Sequence, residues 1–240
     1  MAGRKKSETE AGANGYRFDP SEAVAHLSAV DEHLASLMRL VGPFKMPIRS
    51  MHNPFEALAR NIVYQQLHGT AAAAIHARLL ALFNRKSRLG PRDILAASEE
   101  ELRGAGLSRA KVAALKDLSE KSLAGVVPGL ARLEKMSDEE IVERLSAVRG
   151  IGRWTAEMLL IFRLGRPDVL PVGDFAVRKG FGLAYRMGRF PTPKELALYG
   201  ERWRPFRTVA SWYLWRASEL PPEAFEVDAS KKQPIQRKRR

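Results

Sequence analysis

Apolar residues recur every third or fourth position along most of the chain between residues 20 and 220. This spacing is that of one face of an α-helix, and no run alternates apolar and polar residues over the length of a strand. The pattern predicts an all-α protein of about ten short helices. We expect two helical lobes whose boundary the chain crosses more than once, although a single lobe fits the same periodicity.

Capping residues indicate where several of these helices begin. Asp19 precedes Pro20, and Ser98, Ser137 and Thr192 each stand three residues before a glutamate, as in a capping box. A further capped helix begins after Ser108. Other helices are predicted at 21–42, 54–68, 70–84 and 205–219.

The two ends of the chain differ from its body. Residues 1–17 and 228–240 are polar or charged without apolar periodicity, which predicts disordered tails around a domain spanning 18–227. The net charge is +13, of which residues 1–20 carry +1 and residues 228–240 carry +5, leaving 13 − 1 − 5 = +7 on the body. A cationic body favours a polyanionic partner such as nucleic acid.

Composition excludes several kinds of chemistry. The chain has no cysteine, so disulfides, a thiol nucleophile and cysteine-bound zinc or iron–sulfur clusters are excluded. No histidine pair lies in an HExxH motif. No apolar run approaches the ~20 residues that cross a membrane, and the N-terminus lacks the apolar core of a secretory signal. We therefore expect a cytoplasmic protein, or a nuclear one in a eukaryote, that contacts no membrane.

The stretch LSAVRGIGRWTAEMLL places a tight glycine turn between two helical runs. Gly150 and Gly152 permit a sharp bend, and the helix that follows offers unpaired N–H groups at its positive end. Arg149 and Arg153 flank the turn, so a phosphate is a suitable ligand. An ordinary helical hairpin with a glycine cap fits the turn equally well.

Downstream, the stretch LPVGDFAVRKGFG ends a short loop at Asp174, just before another helix. A lone aspartate in this position is most simply a helix cap. However, the order of hairpin (137–164), loop and Gly/Pro-Asp turn resembles the helix–hairpin–helix glycosylase superfamily. NPFEALARNIVYQQLHG, GLSRAKVAALKDLS and ERWRPFRTVASWYLWR resemble other parts of that fold, so the likeness covers roughly residues 20–220.

The resemblance also implies a branch of the family. Members that also cut the DNA strand have a lysine nucleophile where this chain has Trp154, so a monofunctional glycosylase is implied. GIGRWTAEM resembles the 3-methyladenine DNA glycosylase II branch, here in a compact form without the N-terminal β domain. The implied partner is double-stranded DNA containing alkylated bases. The protein is expected to be a monomer that needs no catalytic cofactor and holds no iron–sulfur cluster.

By the same resemblance, Asp174 stabilises an oxocarbenium-like sugar or orients the attacking water. Alkylated purines are cationic and suit aromatic surroundings, so Trp154, Trp215 and Tyr64 are implied to line the base pocket. We expect the remaining tryptophans, Trp203 and Trp212, to pack in the core.

The resemblance also assigns DNA-binding residues. Gln66, Leu67 and His68 form the implied wedge that fills the gap left by the flipped base. Arg149, Gly150, Gly152 and Arg153 are the implied phosphate ligands. The backbone carbonyls of Ser146, Val148 and Ile151 are implied to hold a structural Na⁺ or K⁺ at the hairpin.

Three other functions fit parts of the sequence. A related glycosylase for deaminated or oxidised bases would share the fold, and the pocket aromatics weigh against it without deciding. A non-catalytic DNA-binding module would use the hairpin but has no need of Asp174. A helical protein-interaction domain leaves the cationic body and the RGIGR turn unexplained. The sequence leaves the preferred adduct open.

Overall fold

A computed structural model describes residues 15–83 and 89–225. Those residues form helices and no strand, which confirms the all-α prediction. None of the described helices is long and apolar enough to cross a membrane. The α-helices are α1 Pro20–Val30, α2 Glu32–Val41, α3 Pro54–Tyr64, α4 Gly69–Leu82, α5 Pro91–Ala96, α6 Glu99–Gly104, α7 Arg109–Leu123, α8 Leu130–Leu133, α9 Asp138–Ser146, α10 Arg153–Phe162, α11 Phe175–Ala184, α12 Pro193–Gly200 and α13 Arg207–Glu219, with 3₁₀ turns at Glu201–Trp203 and Pro222–Phe225.

The described chain divides into two compact units. Unit 1 comprises residues 16–46 and 167–225, and unit 2 comprises residues 47–83 and 89–166, with Gly15. Tyr16, which the sequence places in the N-terminal tail, packs against Phe18 and Phe44. The packed chain therefore begins at or before Tyr16. The remainder of the predicted tails, 1–14 and 228–240, lies outside the described residues.

Unit 1 is built around the crossing of α11 and α13. A Cβ atom on Gly180 of α11 would lie 1.8 Å from the carbonyl oxygen of Leu214 on α13, so the two backbones touch at a point where no side chain fits. Trp203 and Trp212 are 0% and 8% exposed, which confirms that they pack in the core. The crossing fixes the start of α11 relative to α13.

A buried aspartate breaks the first predicted helix in two. Apolar periodicity predicts one helix over 21–42, but Asp31 ends α1 and caps α2, accepting a hydrogen bond from Leu34 N–H. The Asp31 carboxylate is 4% exposed and also accepts from the Trp203 indole at 2.8 Å and the Tyr185 hydroxyl at 2.7 Å. Burial, and then the negative charge of Asp31, raise the pKa of Tyr185. The single-helix prediction was wrong because a capping carboxylate outweighed the periodicity.

Unit 2 packs α3 and α5 against α7, and α9 against α10. The predicted capping boxes at Ser98 and Ser137 form, as does the one at Thr192 in unit 1. The helix predicted over 54–68 ends earlier, at Tyr64, because Gln66 adopts a left-handed backbone conformation with φ of 57°. Residues 65–68, here called the QQ turn, therefore lie outside the helix.

Candidate functional site

The predicted hairpin consists of α9, an exposed turn and α10. Gly150 has φ of 78°, which favours glycine, and its Cβ position would lie 3.3 Å from the Cβ atom of Ala114 on α7. Gly152 caps α10 with no side chain and nothing within 4 Å of its Cβ position. The N–H groups at the start of α10 are thus open to an anion, and helix N-termini attract anions.

Two of the predicted phosphate ligands differ in their surroundings. Arg149 is exposed. The Arg153 guanidinium is paired with Glu139 and lies 3.7 Å from Glu157, and the hydrogen bond to Glu139 raises its pKa. A phosphate that bound the Arg153 side chain would compete with these carboxylates.

Helix α7 holds the hairpin turn from one side through a pair of charged residues. The Asp117 carboxylate accepts from Arg149 N–H at 2.7 Å and from the Lys121 ammonium at 2.8 Å. The same ammonium donates to the Ala147 carbonyl at 2.6 Å. Burial alone would raise the pKa of Asp117, but the hydrogen bonds from Lys121 and Arg149 outweigh it, and the pKa lies below its usual value. Sequence reasoning missed this support because the residues lie far apart along the chain.

The carbonyls predicted to hold a monovalent cation lie in the same turn. The Val148 carbonyl accepts from Ile151 N–H at 3.0 Å, and a carbonyl oxygen keeps a second acceptor position. The Lys121 ammonium already donates to the carbonyl of Ala147, which is the residue between Ser146 and Val148 in the sequence. The carbonyl oxygens suit a cation, but one bound there would share the turn with an ammonium. The described residues contain no cluster of histidine, aspartate and glutamate suited to a metal ion.

The predicted wedge residues lie beside this turn. Gln66, Leu67 and His68 are all exposed, and Leu67 is a large apolar residue at 39% exposure. Gln65, the first residue of the QQ turn, donates from its amide to the Gly150 carbonyl at 2.8 Å. Unit 2 therefore brings the implied wedge close to the implied phosphate ligands of the hairpin turn. The sequence highlighted the QQ pair but did not identify this role of Gln65.

The aromatic residues predicted to form the base pocket have different surroundings. Trp154 is 51% exposed at the start of α10. Tyr64 is half-buried, with the Arg60 guanidinium 4.0 Å from its ring centroid and the His76 ring 6.1 Å away. Both belong to unit 2, whereas Trp215 belongs to unit 1. An exposed tryptophan can stack against a base without rearrangement of the core.

In unit 1, Asp174 and Trp215 form one hydrogen-bonded group. Asp174 caps α11, and its Oδ1 atom accepts from Val177 N–H at 2.9 Å and from the Trp215 indole N–H at 3.1 Å. The residue is 9% exposed. The capping interpretation of Asp174 is therefore correct as geometry, and it coexists with a buried carboxylate held in place by a tryptophan. The bond from Trp215 was not predicted from the sequence.

An exposed glycine hairpin in a helical protein, with a fixed carboxylate at the following Gly/Pro-Asp turn, matches a known family. The family described as HhH-GPD superfamily base excision DNA repair protein matches residues 59–205. The chain belongs to this superfamily, which confirms the resemblance drawn from the sequence.

Individual relatives fit most of the chain. DNA-3-methyladenine glycosylase 1 of Schizosaccharomyces pombe is 41% identical over 83% of this chain and 88% of that protein. The solved structure of the 3-methyladenine DNA glycosylase of S. pombe in complex with abasic DNA has a TM-score of 0.72 at 40% identity, covering 84% of this chain and 98% of that one. A DNA-3-methyladenine glycosidase from Bacillus halodurans gives a TM-score of 0.78 at 34% identity, covering 86% and 95%.

Proposed function

We propose that the protein is a monofunctional DNA-3-methyladenine glycosylase. It flips an alkylated purine such as 3-methyladenine or 7-methylguanine out of double-stranded DNA and hydrolyses its N-glycosidic bond, leaving an abasic site. The observation that carries this proposal is the buried carboxylate of Asp174, fixed at Oδ1 by two donors. Similarity to S. pombe DNA-3-methyladenine glycosylase 1 over 83% of the chain supports the choice of substrate.

The proposed chemistry needs one carboxylate and one water. An N3- or N7-alkylated purine carries a positive charge and leaves readily when the bond between sugar and base breaks, taking the bonding electrons. The sugar becomes an oxocarbenium-like cation, which the negative charge of Asp174 stabilises. Water then forms the new bond to the sugar carbon, and its proton passes to Asp174 or to solvent. No cofactor enters this scheme.

The aromatic residues select the base in this proposal. A cationic purine is attracted to the electron-rich faces of Trp154, Trp215 and Tyr64. Trp154 also occupies the position where strand-cutting members have a lysine, so the chain has no amine there to form a Schiff base with the sugar. The expected product is an intact strand with an abasic site.

The unit 2 turns hold the DNA in this proposal. The N–H groups around Gly150 and Gly152, with Arg149 and Arg153, bind a backbone phosphate. The wedge residues Gln66, Leu67 and His68 replace the flipped nucleotide in the stack. A monovalent cation at the carbonyls of Ser146, Val148 and Ile151 would support the turn without taking part in the chemistry. One protein molecule acting as a monomer is sufficient.

The decisive test is the Asp174→Asn variant. Asparagine caps helices about as well as aspartate, so the variant keeps the fold while losing the charge. We expect 7-methylguanine release from duplex DNA to fall by at least about 100-fold, the effect of removing one electrostatic stabiliser. Affinity for a duplex with an abasic-site analogue should be unchanged. Full excision by this variant would refute the mechanism.

Assays with other damaged bases and analysis of the reaction product distinguish this proposal from the alternative functions. Faster release of hypoxanthine or uracil than of 7-methylguanine would instead indicate a glycosylase for deaminated bases. Strand breaks without added base, or an adduct trapped by borohydride, would refute the monofunctional assignment. Binding without release of any base would indicate a non-catalytic module.

A further inference from the structure

A second cationic site lies in unit 2 at the other end of α10 from the hairpin. It is a cavity of about 200 Å³ whose lining includes the side chains of Arg60, Arg163, His52, His76 and Glu56. We call this cavity the arginine pocket. Arg163 caps the C-terminal end of α10, a helix of 10 residues, so the pocket is roughly 15 Å along the helix from the glycine turn.

Positive charge accumulates at the arginine pocket. Burial, followed by the charges of Arg49 and Arg60, lowers the pKa of the Arg163 guanidinium. Burial and then Arg60 also lower the pKa of His76. Within residues 15–83 and 89–225, no carboxylate forms an ion pair with any of these three arginines. A bound anion would relieve the repulsion that Arg163 experiences from Arg49 and Arg60.

The two arginine side chains that line the pocket, Arg60 and Arg163, are also held in place. Arg60 lies 4.0 Å from the Tyr64 ring centroid, and Arg163 donates from Nη1 to the Ser50 carbonyl at 3.0 Å. Arg49 N–H donates to the Phe162 carbonyl at 2.9 Å, which keeps that residue next to Arg163. Guanidinium groups that are positioned in advance lose little freedom when they bind an oxyanion.

We propose that the arginine pocket binds a phosphate group, as a site separate from the hairpin. Guanidinium groups present several N–H donors in a fixed plane that matches the oxygens of a phosphate. The one carboxylate in the lining, Glu56, opposes an anion by its charge while its Oε1 atom accepts from Leu89 N–H at 3.2 Å. The phosphate could belong to a DNA strand or be a free anion, and the experiments below distinguish these sources.

The first experiment uses His76 as a reporter inside the pocket. Its imidazole is followed by NMR across pH while inorganic phosphate is added to the full-length protein. Phosphate bound beside the ring should raise the pKa of His76 by about one unit. His33 in unit 1 is the control and should not respond. If His76 titrates identically with and without phosphate, the proposal is wrong.

Two variants test the charges in opposite directions. Glu56→Gln keeps an acceptor for Leu89 N–H but removes the opposing charge, so phosphate should bind more tightly. Arg163→Gln should weaken phosphate binding about tenfold. Arg103→Gln removes one exposed positive charge elsewhere in unit 2 and should leave phosphate binding unchanged. Equal effects of the Arg163 and Arg103 variants would mean that net charge alone attracts the anion, and would overturn the proposal.

The source of the phosphate follows from DNA binding by the same variants. If Arg163→Gln weakens binding to an undamaged duplex by several-fold more than Arg103→Gln, the pocket takes a backbone phosphate. If DNA binding is unchanged while the His76 response to inorganic phosphate is lost, the pocket takes a free anion. These readouts do not require base excision, so they remain interpretable if the proposed glycosylase activity fails its own test.

Discussion

At the scale of single residues, Asp174 carries two tasks at one oxygen atom. Its Oδ1 atom accepts from Val177 N–H, which starts α11, and from the Trp215 indole, which belongs to α13. The cap stabilises the fold, and the same bonds set the direction of the carboxylate. In the proposed mechanism, Trp215 is therefore a positioning residue for Asp174 as well as a contact of the base.

Trp215→Phe separates these two contributions. Phenylalanine keeps an aromatic face but cannot donate to Asp174. A hydrogen bond to a charged group contributes about 1.5–3 kcal/mol, so we expect kcat for 7-methylguanine release to fall roughly tenfold to a hundredfold. KM should change little because the ring remains. Steady-state excision over a range of DNA concentrations separates kcat from KM, and a variant that changed only KM would contradict the positioning role.

The same residues show what sequence reasoning can reach at this scale. Asp174 was identifiable because it follows a local Gly/Pro pattern. The bond from Trp215 joins residues 41 positions apart, and the bond from Gln65 to Gly150 joins residues 85 apart. Such contacts depend on how helices pack, and a single sequence contains no local signal for them.

At the scale of helices, the crossing of α11 and α13 determines where Asp174 lies. Gly180 touches the backbone of Leu214, and backbone cannot move aside as a flexible side chain can. Asp174 caps the start of α11, and Trp215 directly follows Leu214 on α13. Any separation of the two helices would therefore lengthen the bond between Asp174 and Trp215.

Gly180→Ala should consequently damage both folding and catalysis. The added Cβ would overlap the Leu214 carbonyl oxygen at 1.8 Å, and overpacking of this kind costs about 3 kcal/mol or more. Urea unfolding should show the loss of stability, and the surviving folded protein should excise slowly. Gly173→Ala is the matched control, because nothing lies within 4 Å of its Cβ position. Equal stability of the two variants would refute the close-contact argument.

The hairpin turn is supported by another helix, and Asp117→Ala tests that support. The variant loses the acceptor for Arg149 N–H and the partner of Lys121. We expect about tenfold weaker binding to an abasic-analogue duplex, measured by fluorescence anisotropy, from loss of one charge-assisted hydrogen bond. Base excision by enzyme that is saturated with substrate DNA should persist. Unchanged affinity would show that the turn keeps its shape without α7.

The pKa of Asp117 defines where this support should operate. Because its pKa is lowered in the folded protein, the carboxylate stabilises the fold at any pH above the unfolded value of about 3.9. That contribution is lost as the pH falls through the folded pKa. DNA binding near neutral pH is therefore unaffected by titration of this group.

Helix positions were predictable where the signal was local. The capping boxes at Ser98, Ser137 and Thr192 each set a helix start, and all three form. The break at Asp31 was not predicted, since the apolar repeat runs through it. Its cause is tertiary: Tyr185 and Trp203 hold the carboxylate inside unit 1.

At the scale of the whole molecule, the net charge of +13 governs how DNA is approached. Each phosphate that the protein neutralises releases counterions. Each one steepens the slope of log affinity against log salt concentration by about 0.9. Two such contacts weaken binding about tenfold between 50 and 200 mM salt. Arg149→Gln should lower the slope by about 0.9, whereas Arg132→Gln, at an exposed position of α8, should not. A slope near zero would contradict the proposed binding of a backbone phosphate at the hairpin turn.

The division of unit 1 into two stretches of sequence has a consequence for synthesis. The bond between Asp31 and Trp203 spans 172 residues, and residues 47–166 of unit 2 are translated between its two partners. At about 5–20 residues per second, Asp31 leaves the ribosome roughly ten to thirty seconds before Trp203. Unit 2 can complete its packing in that interval, while the first segment of unit 1 must wait with its apolar face uncovered. During that wait the nascent chain is most exposed to aggregation and to capture by chaperones.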